Sequence, residues 1–374
     1  MKVAVLQLQG LSAGPTELAG MLAEQGHEVL AVVPGHGTPR RRAAPGLEVR
    51  AIEGSAPIAA AAVGSALLPQ WRRRPPDVVH AFGLAGAVAA LEATAGEVPV
   101  VVSLGAVGPA HGRGGTPAPA PRGRRVALER SILQAAAHVV AGCAEHAMDL
   151  LRLGVPAHRL SVVPMAVDSQ AYRLAGPVPS TDDICLLSLD GTHPASGLST
   201  LLDALAMTPG VRLTVVGPTD DEGRTKAWTA ARRLHLGGRL RLLGEVRPMA
   251  VPRALGDHHG LVAASSDQPW CRPVLESLAC GRPVVSLGVG ATHEFVIDGE
   301  TGAVAARADA EGLAAALARF RDDELAAPGG RHAAARASVV RRHAWAARSA
   351  ALTAAYQQAQ LHGAARWQAG ATVA

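Results

Sequence analysis

Short apolar runs alternate along most of this chain with stretches whose apolar positions repeat at helical spacing. The first run, Lys2 to Leu8, is followed by a glycine-containing loop, a helix that begins at Pro15 and a second apolar run from His27 to Val33. Strands that alternate with helices in this way are typical of a parallel sheet with helices on both faces. The alternation restarts at Ile184 to Leu189. The pattern therefore predicts an α/β protein with two doubly wound, Rossmann-like domains that face each other across a cleft.

A Pro-rich stretch, Gly176 to Pro179, lies between the two halves and is interpreted as the linker between domains. We expect the N-terminal domain over residues 1–176 and the C-terminal domain over residues 180–342. A closing Ala-rich helix near residues 343–362 is expected to cross back to the N-terminal domain. With 374 residues, the chain is long enough for each domain to bury its own core.

The stretch from Ser265 to Gly302 contains the most informative order of elements. Its loop ends at Pro273, a short helix that carries Glu276 closes at Gly281, and a buried strand follows from Pro283 to Leu287. This order brings Glu276 and a helix N-terminus to the carboxyl ends of a parallel sheet, where such sheets bind ligands and where phosphate is attracted. The alternative is an ordinary strand and helix unit with Glu276 on a solvated face.

Charge and cysteine content exclude several classes of protein. The net charge is +5, but lysine occurs only at Lys2 and Lys226 and the arginines are scattered, so nucleic-acid binding is not expected. The arginine runs Arg40 to Arg42 and Arg72 to Arg74 are interpreted as solvated loop charges. A loose attraction to an anionic membrane surface stays open. The four cysteines lack Cys-x-x-Cys spacing, which argues against a disulfide framework or a zinc site.

In the N-terminal segment we expect neither a leader nor a nicotinamide-cofactor fingerprint. No apolar run is long enough to cross a bilayer, and the chain begins directly with a strand-like run. We therefore expect a cytoplasmic protein, with peripheral contact at the inner membrane face left open. Gly10 and Gly14 have the wrong spacing for a dinucleotide fingerprint, and no acidic residue ends the second strand, so no nicotinamide cofactor is expected.

One histidine has a placement that indicates chemistry. Asp77 to His80 is interpreted as a strand that ends in His80, so the ring is expected to point into the cleft at the carboxyl edge of the sheet. A structural role for this lone histidine is the equal alternative. A second histidine, His111, lies in a Pro/Gly/Arg-rich loop from Gly108 to Gly123.

The order of these motifs resembles the retaining glycosyltransferases of family 4, which have the GT-B fold of two Rossmann-like domains. The resemblance covers nearly the whole chain, and its most specific motif is LESLACGRPVVS at Leu275 to Ser286. The other motifs are GHEV at Gly26 to Val29, PDVVHAF at Pro76 to Phe82, LGVPAHRLSVVPMAVD at Leu153 to Asp168 and LLGEV at Leu242 to Val246.

The resemblance implies where the substrates bind. The donor, a nucleotide-diphosphate sugar, would be held mainly by the C-terminal domain, and the acceptor would lie on the N-terminal domain. Glu276 would accept the two ribose hydroxyls of the donor, which suits a carboxylate with two oxygens. Backbone groups at Glu245 would face the base, and Gly10 would leave room for the phosphates. The full set of expected donor-binding residues is Gly10, Gly191, Ser196, Gly197, Gly217, Glu245, Val246, Pro273, Val274 and Glu276.

Several positions depart from the family's pattern. Gln268 replaces the first of two glutamates separated by seven residues, and Cys271 replaces a glycine. Asp190-Gly191 and Ser196-Gly197 stand where the family has Gly-Arg and Lys-Gly, and Gly105 stands where it has a histidine. The two missing cations would stabilise the leaving diphosphate, an electrostatic effect of about 3–4 kcal/mol for a well-placed donor.

Other side chains are candidates to replace the missing groups. Arg272 precedes Pro273 at the helix start and could reach the diphosphate, and His193 lies in the loop that lacks the arginine. The candidate catalytic residues are therefore Gln268, Arg272 and His80. The alternatives are a solvated Arg272 and ordinary loop roles for His193 and for His111.

These expectations combine into a glycosyltransferase that moves a sugar from a nucleotide-diphosphate sugar to an unknown acceptor with retention. No metal is expected, because no Asp-x-Asp pair lies at a strand end to hold one. One alternative is a catalytically silent relative that binds nucleotide sugars or acts as a partner of an active paralogue. A third class, a GT-B sugar-nucleotide epimerase, fits the LESLACG motif less well.

Overall fold

The structure is a computed structural model of the 374-residue chain. It describes residues 1–8, 14–34, 41–52, 57–105, 107, 122–173, 176–177, 179, 181–192, 196–265, 270–343 and 345–363. These residues divide into two compact units. The first unit holds the described residues up to 107, those from 122 to 163 and those from 348 onward, and the second holds those from 164 to 347.

The first unit is built on an eight-stranded sheet in the order β3-β4-β2-β1-β5-β6-β7-β8, in which only the β3 and β4 pair is antiparallel. The strands are β1 Lys2–Gln7, β2 Glu28–Pro34, β3 Arg41–Ala44, β4 Leu47–Ile52, β5 Val78–Phe82, β6 Val100–Ser103, β7 His138–Ala141 and β8 Leu160–Val162. The helices between them are α1 Gly14–Glu24, α2 Pro57–Arg73, α3 Gly83–Thr94, α4 Arg122–Ala135 and α5 Ala144–Arg152.

The second unit is built on a six-stranded parallel sheet in the order β11-β10-β9-β12-β13-β14. Its strands are β9 Ile184–Ser188, β10 Val211–Val216, β11 Leu240–Gly244, β12 Gly260–Ala263, β13 Val284–Ser286 and β14 Gly302–Val304. Its helices are α6 Leu198–Ala206, α7 Asp221–Arg233, α8 Val251–Gly256, α9 Arg272–Ala279, α10 Thr292–Phe295, α11 Ala310–Ala326 and α12 His332–Arg342. The closing helix, α13 Trp345–His362, belongs from residue 348 onward to the first unit, as the sequence predicts.

Burial of the strands agrees with sheets whose two faces are both covered. In β1, four consecutive side chains from Val3 to Leu6 are each 1% exposed or less. A strand with one solvated face would instead alternate buried and exposed positions. The predicted α/β architecture of two parallel sheets is therefore confirmed. None of the helices that the structure describes is long and apolar enough to span a membrane.

Five elements are absent from the pattern predicted from sequence: β3, β4, α2, α3 and β14. The helix α3 is Ala-rich and buried over nine of its twelve residues, so it has no polar face to produce a helical period. The expectation that the two arginine runs lie in loops is wrong. Arg41 and Arg42 lie in the strand β3. Arg72 and Arg73 lie in the last turn of α2, and the side chains of these two residues are exposed.

A single buried arginine joins three segments of the second unit. Arg282 is 0% exposed. Its Nη1 donates a hydrogen bond to the imidazole ring of His332, 3.1 Å away at Nδ1. Burial lowers the pKa of the Arg282 guanidinium, and burial together with Arg282 lowers the pKa of His332 to about 4, so the imidazole is neutral and accepts a hydrogen bond. The guanidinium also donates to four backbone carbonyl oxygens, those of Leu255, Gly256, Gly176 and Pro177.

Replacing this arginine should destabilise the second unit. Arg282→Met removes the donors to four carbonyl oxygens in buried or partly buried hydrogen bonds, so we expect the free energy of unfolding to fall by about 3 kcal/mol. Urea denaturation at pH 7 measures the change. The control is Arg319→Met in the same unit, where the guanidinium pairs with Asp298 at 3.1 Å and is half exposed; it should cost no more than about 1 kcal/mol. Equal losses in the two variants would contradict the assigned role of Arg282.

Candidate functional site

The second sheet has a switch in strand order between β9 and β12. The strand β9 pairs with β10 on one side and with β12 on the other, so the chain leaves the two central strands in opposite directions. In open parallel sheets the crevice outside the carboxyl ends of two such strands binds ligands. The segments that begin here are the loop after β9, which leads to α6, and the loop after β12, which leads to α9.

These two loops touch each other at Gly197. Its backbone has φ 70° and ψ 13°, in the left-handed region, and a Cβ at this position would lie 2.0 Å from the carbonyl oxygen of Ala264. Only glycine allows both the conformation and the close approach. The preceding Ser196 is 2% exposed, and its hydroxyl accepts a hydrogen bond from the N–H of Leu198 at 3.4 Å. The start of α6 is thereby fixed next to the end of β12.

The loop after β9 is fixed at its other end by the loop after β10. The N–H of Gly191 donates to the carbonyl of Val216 at 3.0 Å, and the N–H of Thr192 donates to that of Pro218 at 2.9 Å. A Cβ on Gly191 would lie 2.3 Å from the same Pro218 oxygen. Gly217 also lies in this contact, since a Cβ there would be 2.7 Å from the nitrogen of Gly191. The expected donor-binding glycines of this unit therefore set the course of the loop through backbone contacts.

A carboxylate is buried in the second turn of α9, beside this crevice. Glu276 is 6% exposed, and its Oε1 accepts hydrogen bonds from Nε of Arg272 at 2.5 Å and from the hydroxyl of Tyr172 at 2.8 Å. The Arg272 side chain is itself only 14% exposed. Two alternatives considered from sequence are therefore wrong: Glu276 does not lie on a solvated face, and Arg272 is not a solvated cation.

Tyr172 comes from the segment that precedes β9, and a second arginine holds that segment in place. Nη1 of Arg336, on α12, donates to the carbonyl of Tyr172 at 2.9 Å and to that of Ala279 at 2.5 Å. Burial and the charge of Glu276 raise the pKa of the Tyr172 phenol, so the hydroxyl stays protonated and acts as a donor. Sequence reasoning missed Tyr172 and Arg336, because contacts over 104 and 164 residues leave no spacing signal.

The remaining predicted donor residues have different surroundings. Pro273 occupies the first turn of α9 and is half-buried, whereas Val274 is 1% exposed and belongs to the core. Glu245 is exposed and Val246 half-buried after the edge strand β11, two strands away from β9. Among the described residues, no group of three or more His, Cys, Asp or Glu is placed to hold a metal ion. Four predicted residues lie outside the described part of the chain, namely Gly10, Gln268, His111 and His193.

The residue before α9 is held in a conformation that favours glycine. Cys271 has φ 37° and ψ 43° and is 4% exposed. The left-handed region costs a residue with a Cβ about 1–2 kcal/mol. At this position the resemblance to family 4 led us to expect a glycine. The structure therefore keeps the backbone course that a glycine permits, with a buried thiol on it.

His80 lies in the interior of the first unit and not at a strand end. The strand β5 continues two residues beyond it to Phe82, and His80 pairs with Val5 of β1 in the middle of the sheet. Its Nδ1 is 2.9 Å from the hydroxyl of Tyr356, and its Nε2 is 2.8 Å from that of Ser103. The expectation that the ring points into a cleft is wrong, because the ring is 1% exposed. Burial lowers the pKa of His80 to about 3, so the imidazole is neutral.

The positive φ of Cys271 predicts that glycine is more stabilising than alanine at this position, the reverse of the usual order in a folded chain. Cys271→Gly and Cys271→Ala both remove the thiol, but only alanine keeps the strain of a Cβ at positive φ. We expect Cys271→Gly to be the more stable variant by about 1 kcal/mol. The control is Cys185 in β9, whose φ is not positive, and there alanine should be more stable than glycine by about 1 kcal/mol. The same ranking at both positions in urea denaturation would refute the assigned strain.

The burial of His80 predicts a loss of stability in acid. Its folded pKa of about 3 lies below the ordinary value of 6.5, so its contribution is complete above pH 6.5 and is lost as the pH falls below that value. Between pH 6.5 and pH 5 the free energy of unfolding should fall by roughly 2 kcal/mol from this residue. His80→Gln should remove that part of the pH dependence in urea denaturation, whereas His293→Gln, at an exposed histidine, should not.

In comparison with known proteins, each half of the chain matches a glycosyltransferase profile. Residues 9–166 match the family profile described as "Glycosyl transferase 4-like domain", and residues 185–323 match the profile described as "Glycosyl transferases group 1". These matches correspond to the two units of the structure, and their order along the chain is the order of the motifs in the sequence.

Curated relatives agree with these matches. The D-inositol 3-phosphate glycosyltransferase of Xylanimonas cellulosilytica is 30% identical over 313 residues, which cover 76% of this chain and 72% of that protein. The lipopolysaccharide core biosynthesis glycosyltransferase LpsE of Rhizobium meliloti is 36% identical over 130 residues, 34% of this chain. That shorter match spans only 36% of the length of LpsE.

Solved structures show the fold. Sucrose-phosphate synthase from Thermosynechococcus elongatus has a TM-score of 0.80 at 18% identity, with 96% of this chain and 98% of that chain covered. HepE of Anabaena, in complex with UDP and glucose, has a TM-score of 0.71 at 20% identity, with 95% and 99% covered. The GT-B fold predicted from sequence is confirmed. With two matching profiles and a 30% identical relative over most of its length, the chain belongs to the group 1 glycosyltransferases.

Proposed function

We propose that this protein transfers a sugar from a nucleotide-diphosphate sugar to an acceptor, with retention of the anomeric configuration. The donor would bind at the carboxyl edge of the second sheet, where the loops after β9 and β12 meet. The family membership and the HepE structures described as complexes with UDP and with UDP-glucose support a donor of this kind. The nucleotide base and the sugar are left to experiment.

The observation that carries the proposal is the buried carboxylate of Glu276. A carboxylate removed from water is costly unless cations and hydrogen bonds compensate it, and Arg272 and Tyr172 do so here. An isolated packing role would be served equally well by an apolar residue. We infer that the carboxylate is kept because it accepts the ribose hydroxyls of the donor, a contact that requires a charged acceptor with two oxygens.

The diphosphate would lie at the start of α6. Gly191, Ser196 and Gly197 shape the loop that leads there, and the first turn of a helix presents N–H groups with a partial positive charge. The absence of side chains at the two glycines lets the backbone approach a phosphate closely. We propose that these backbone groups, rather than Arg272, face the leaving diphosphate, since the Arg272 guanidinium is paired with Glu276.

Other parts of the proposal rest on the resemblance alone. The base would lie near Glu245 and Val246 beyond β11, and the acceptor would bind to the first unit. Gly10 near the phosphates and Gln268 near the sugar stay predictions for residues outside the described part of the chain. The reaction is proposed to need no metal ion, because the sequence has no Asp-x-Asp pair at a strand end; full activity in EDTA would support this.

Nucleotide binding tests the donor site. Calorimetric titration with UDP, GDP and ADP should find one nucleoside diphosphate that binds in the micromolar range. Glu276→Gln keeps the shape of the side chain but removes its charge, so affinity for that nucleotide should fall by about tenfold or more. The control is Glu311→Gln on α11 of the same unit, whose side chain is 73% exposed and which should leave the affinity unchanged.

Sugar transfer is tested next, with nucleotide-diphosphate sugars of the nucleotide that binds as donors. The acceptor panel should include inositol phosphate and lipopolysaccharide core sugars, which the names of the relatives indicate. Product NMR should show the anomeric configuration of the donor. Binding of a nucleotide without transfer to any acceptor would favour the silent, nucleotide-sugar-binding alternative. Failure of all nucleotides to bind would remove the proposed donor site.

A further inference from the structure

We propose that Tyr172 is a positioning residue that sets the preference of the donor site for a ribose, by holding Oε1 of Glu276 together with Arg272. The inference rests on the proposed function, because it assigns to Tyr172 a part in the binding of the same donor. It concerns a residue that lies 104 positions from Glu276 in the chain and enters the site only through the fold.

Both hydrogen bonds converge on one oxygen. Nε of Arg272 approaches Oε1 of Glu276 at 2.5 Å, and the Tyr172 hydroxyl approaches the same oxygen at 2.8 Å. A glutamate side chain has three rotatable bonds, so a single donor leaves the plane of the carboxylate free to turn. The Tyr172 hydroxyl, brought from another segment of the chain, is a second donor to this oxygen and restricts that rotation. A carboxylate that is already oriented loses less conformational freedom when a ligand binds.

The tyrosine that provides the second donor is itself braced. The N–H of Tyr172 donates to the carbonyl of Asp168 at 2.9 Å, and Arg336 donates to the carbonyls of Tyr172 and Ala279. Nη2 of Arg336 also donates to the carbonyl of Ser169 at 3.1 Å. One guanidinium therefore joins the turn that carries the tyrosine to the C-terminal end of the helix that carries Glu276. Movement of Tyr172 relative to Glu276 is restricted.

Tyr172 and Arg272 contribute differently to the carboxylate. The guanidinium supplies a positive charge beside the buried carboxylate, 2.5 Å away from Nε to Oε1. The phenol is neutral and 5% exposed, and its single polar atom is the hydroxyl that donates to Oε1. Removal of this oxygen should change the orientation of Glu276, whereas the cation of Arg272 stays on the same helix four residues away. This is why Tyr172→Phe separates positioning from electrostatics.

A misoriented carboxylate should affect one part of the ligand. Glu276 faces the ribose in the proposed complex, whereas the diphosphate and the base depend on the loops after β9 and β11. Loss of the tyrosine hydroxyl should therefore weaken binding of a nucleotide with both ribose hydroxyls and spare one that lacks them. A general structural defect would instead weaken both nucleotides alike.

The experiment measures dissociation constants for UDP, GDP and ADP and for their 2′,3′-dideoxy counterparts, by calorimetry and by competition. For the nucleotide that binds best, Tyr172→Phe should weaken the ribose form by about tenfold. The dideoxy form should change by no more than about twofold. In the Glu276→Gln background, Tyr172→Phe should have no further effect on the ribose form, because the acceptor that it orients is altered.

The matched control is Tyr356→Phe in the first unit. Tyr356 is also buried, at 0% exposure, and its hydroxyl also holds a side chain, His80, at 2.9 Å. This variant loses a comparable buried hydrogen bond, so its thermal stability should fall by a similar amount. Its affinities for both forms of the nucleotide should equal those of the unmodified protein.

Two outcomes would overturn the inference while leaving the proposed function intact. One is an equal loss of affinity for the ribose and dideoxy forms in Tyr172→Phe, which would assign the tyrosine a purely structural role. The other is a Tyr172→Phe variant that binds the ribose form and the dideoxy form as tightly as the unmodified protein does. If the unmodified protein binds none of the nucleotides, the proposed donor site fails and the inference fails with it.

Discussion

Burial of the Glu276 carboxylate is the constraint on which the site of the second unit depends. A carboxylate loses several kcal/mol of hydration on leaving water, and this loss must be offset by partners in fixed positions. Arg272 is four residues away on the same helix, but the second donor, Tyr172, must be delivered by a distant segment. Arg336 holds that segment against the end of α9. The charge of one side chain thus determines how three parts of the chain pack.

The only two tyrosines of the chain act in comparable ways on different partners. Tyr356, from the closing helix, contacts the ring of His80 in the first unit, just as Tyr172 contacts Glu276 in the second. The two partners differ in charge. His80 has a hydroxyl group next to each ring nitrogen, and burial lowers its pKa, so the ring is neutral. Glu276 instead has the Arg272 guanidinium beside it, 2.5 Å away from Nε to Oε1, and this cation compensates a carboxylate charge. A neutral packed imidazole belongs to the core, whereas a compensated buried anion is suited to recognise a polar ligand.

Backbone geometry provides the other half of the site. At Gly197 a left-handed backbone and a 2.0 Å approach to a carbonyl oxygen exclude any side chain. At Cys271 a similar backbone is kept although the residue has a Cβ. Both loops therefore follow a left-handed path at these positions, one with a glycine and the other with a cysteine. In the proposed complex the diphosphate faces backbone groups of the loop that leads to α6, so the path of that loop would matter more than its side chains.

The sequence by itself determined the alternation of strands and helices, the two parallel sheets and the short helix that carries Glu276, because these features follow from local periodicity and from glycine and proline positions. It also indicated the family through LESLACGRPVVS. Periodicity did not find α3, which is buried on all sides, and it placed His80 at a strand end that lies two residues further on. Only the tertiary structure decided that His80 is neutral and packed, and that Tyr172 and Arg336 serve Glu276. Such contacts join residues more than one hundred positions apart, and burial and distance between them depend on how whole elements pack.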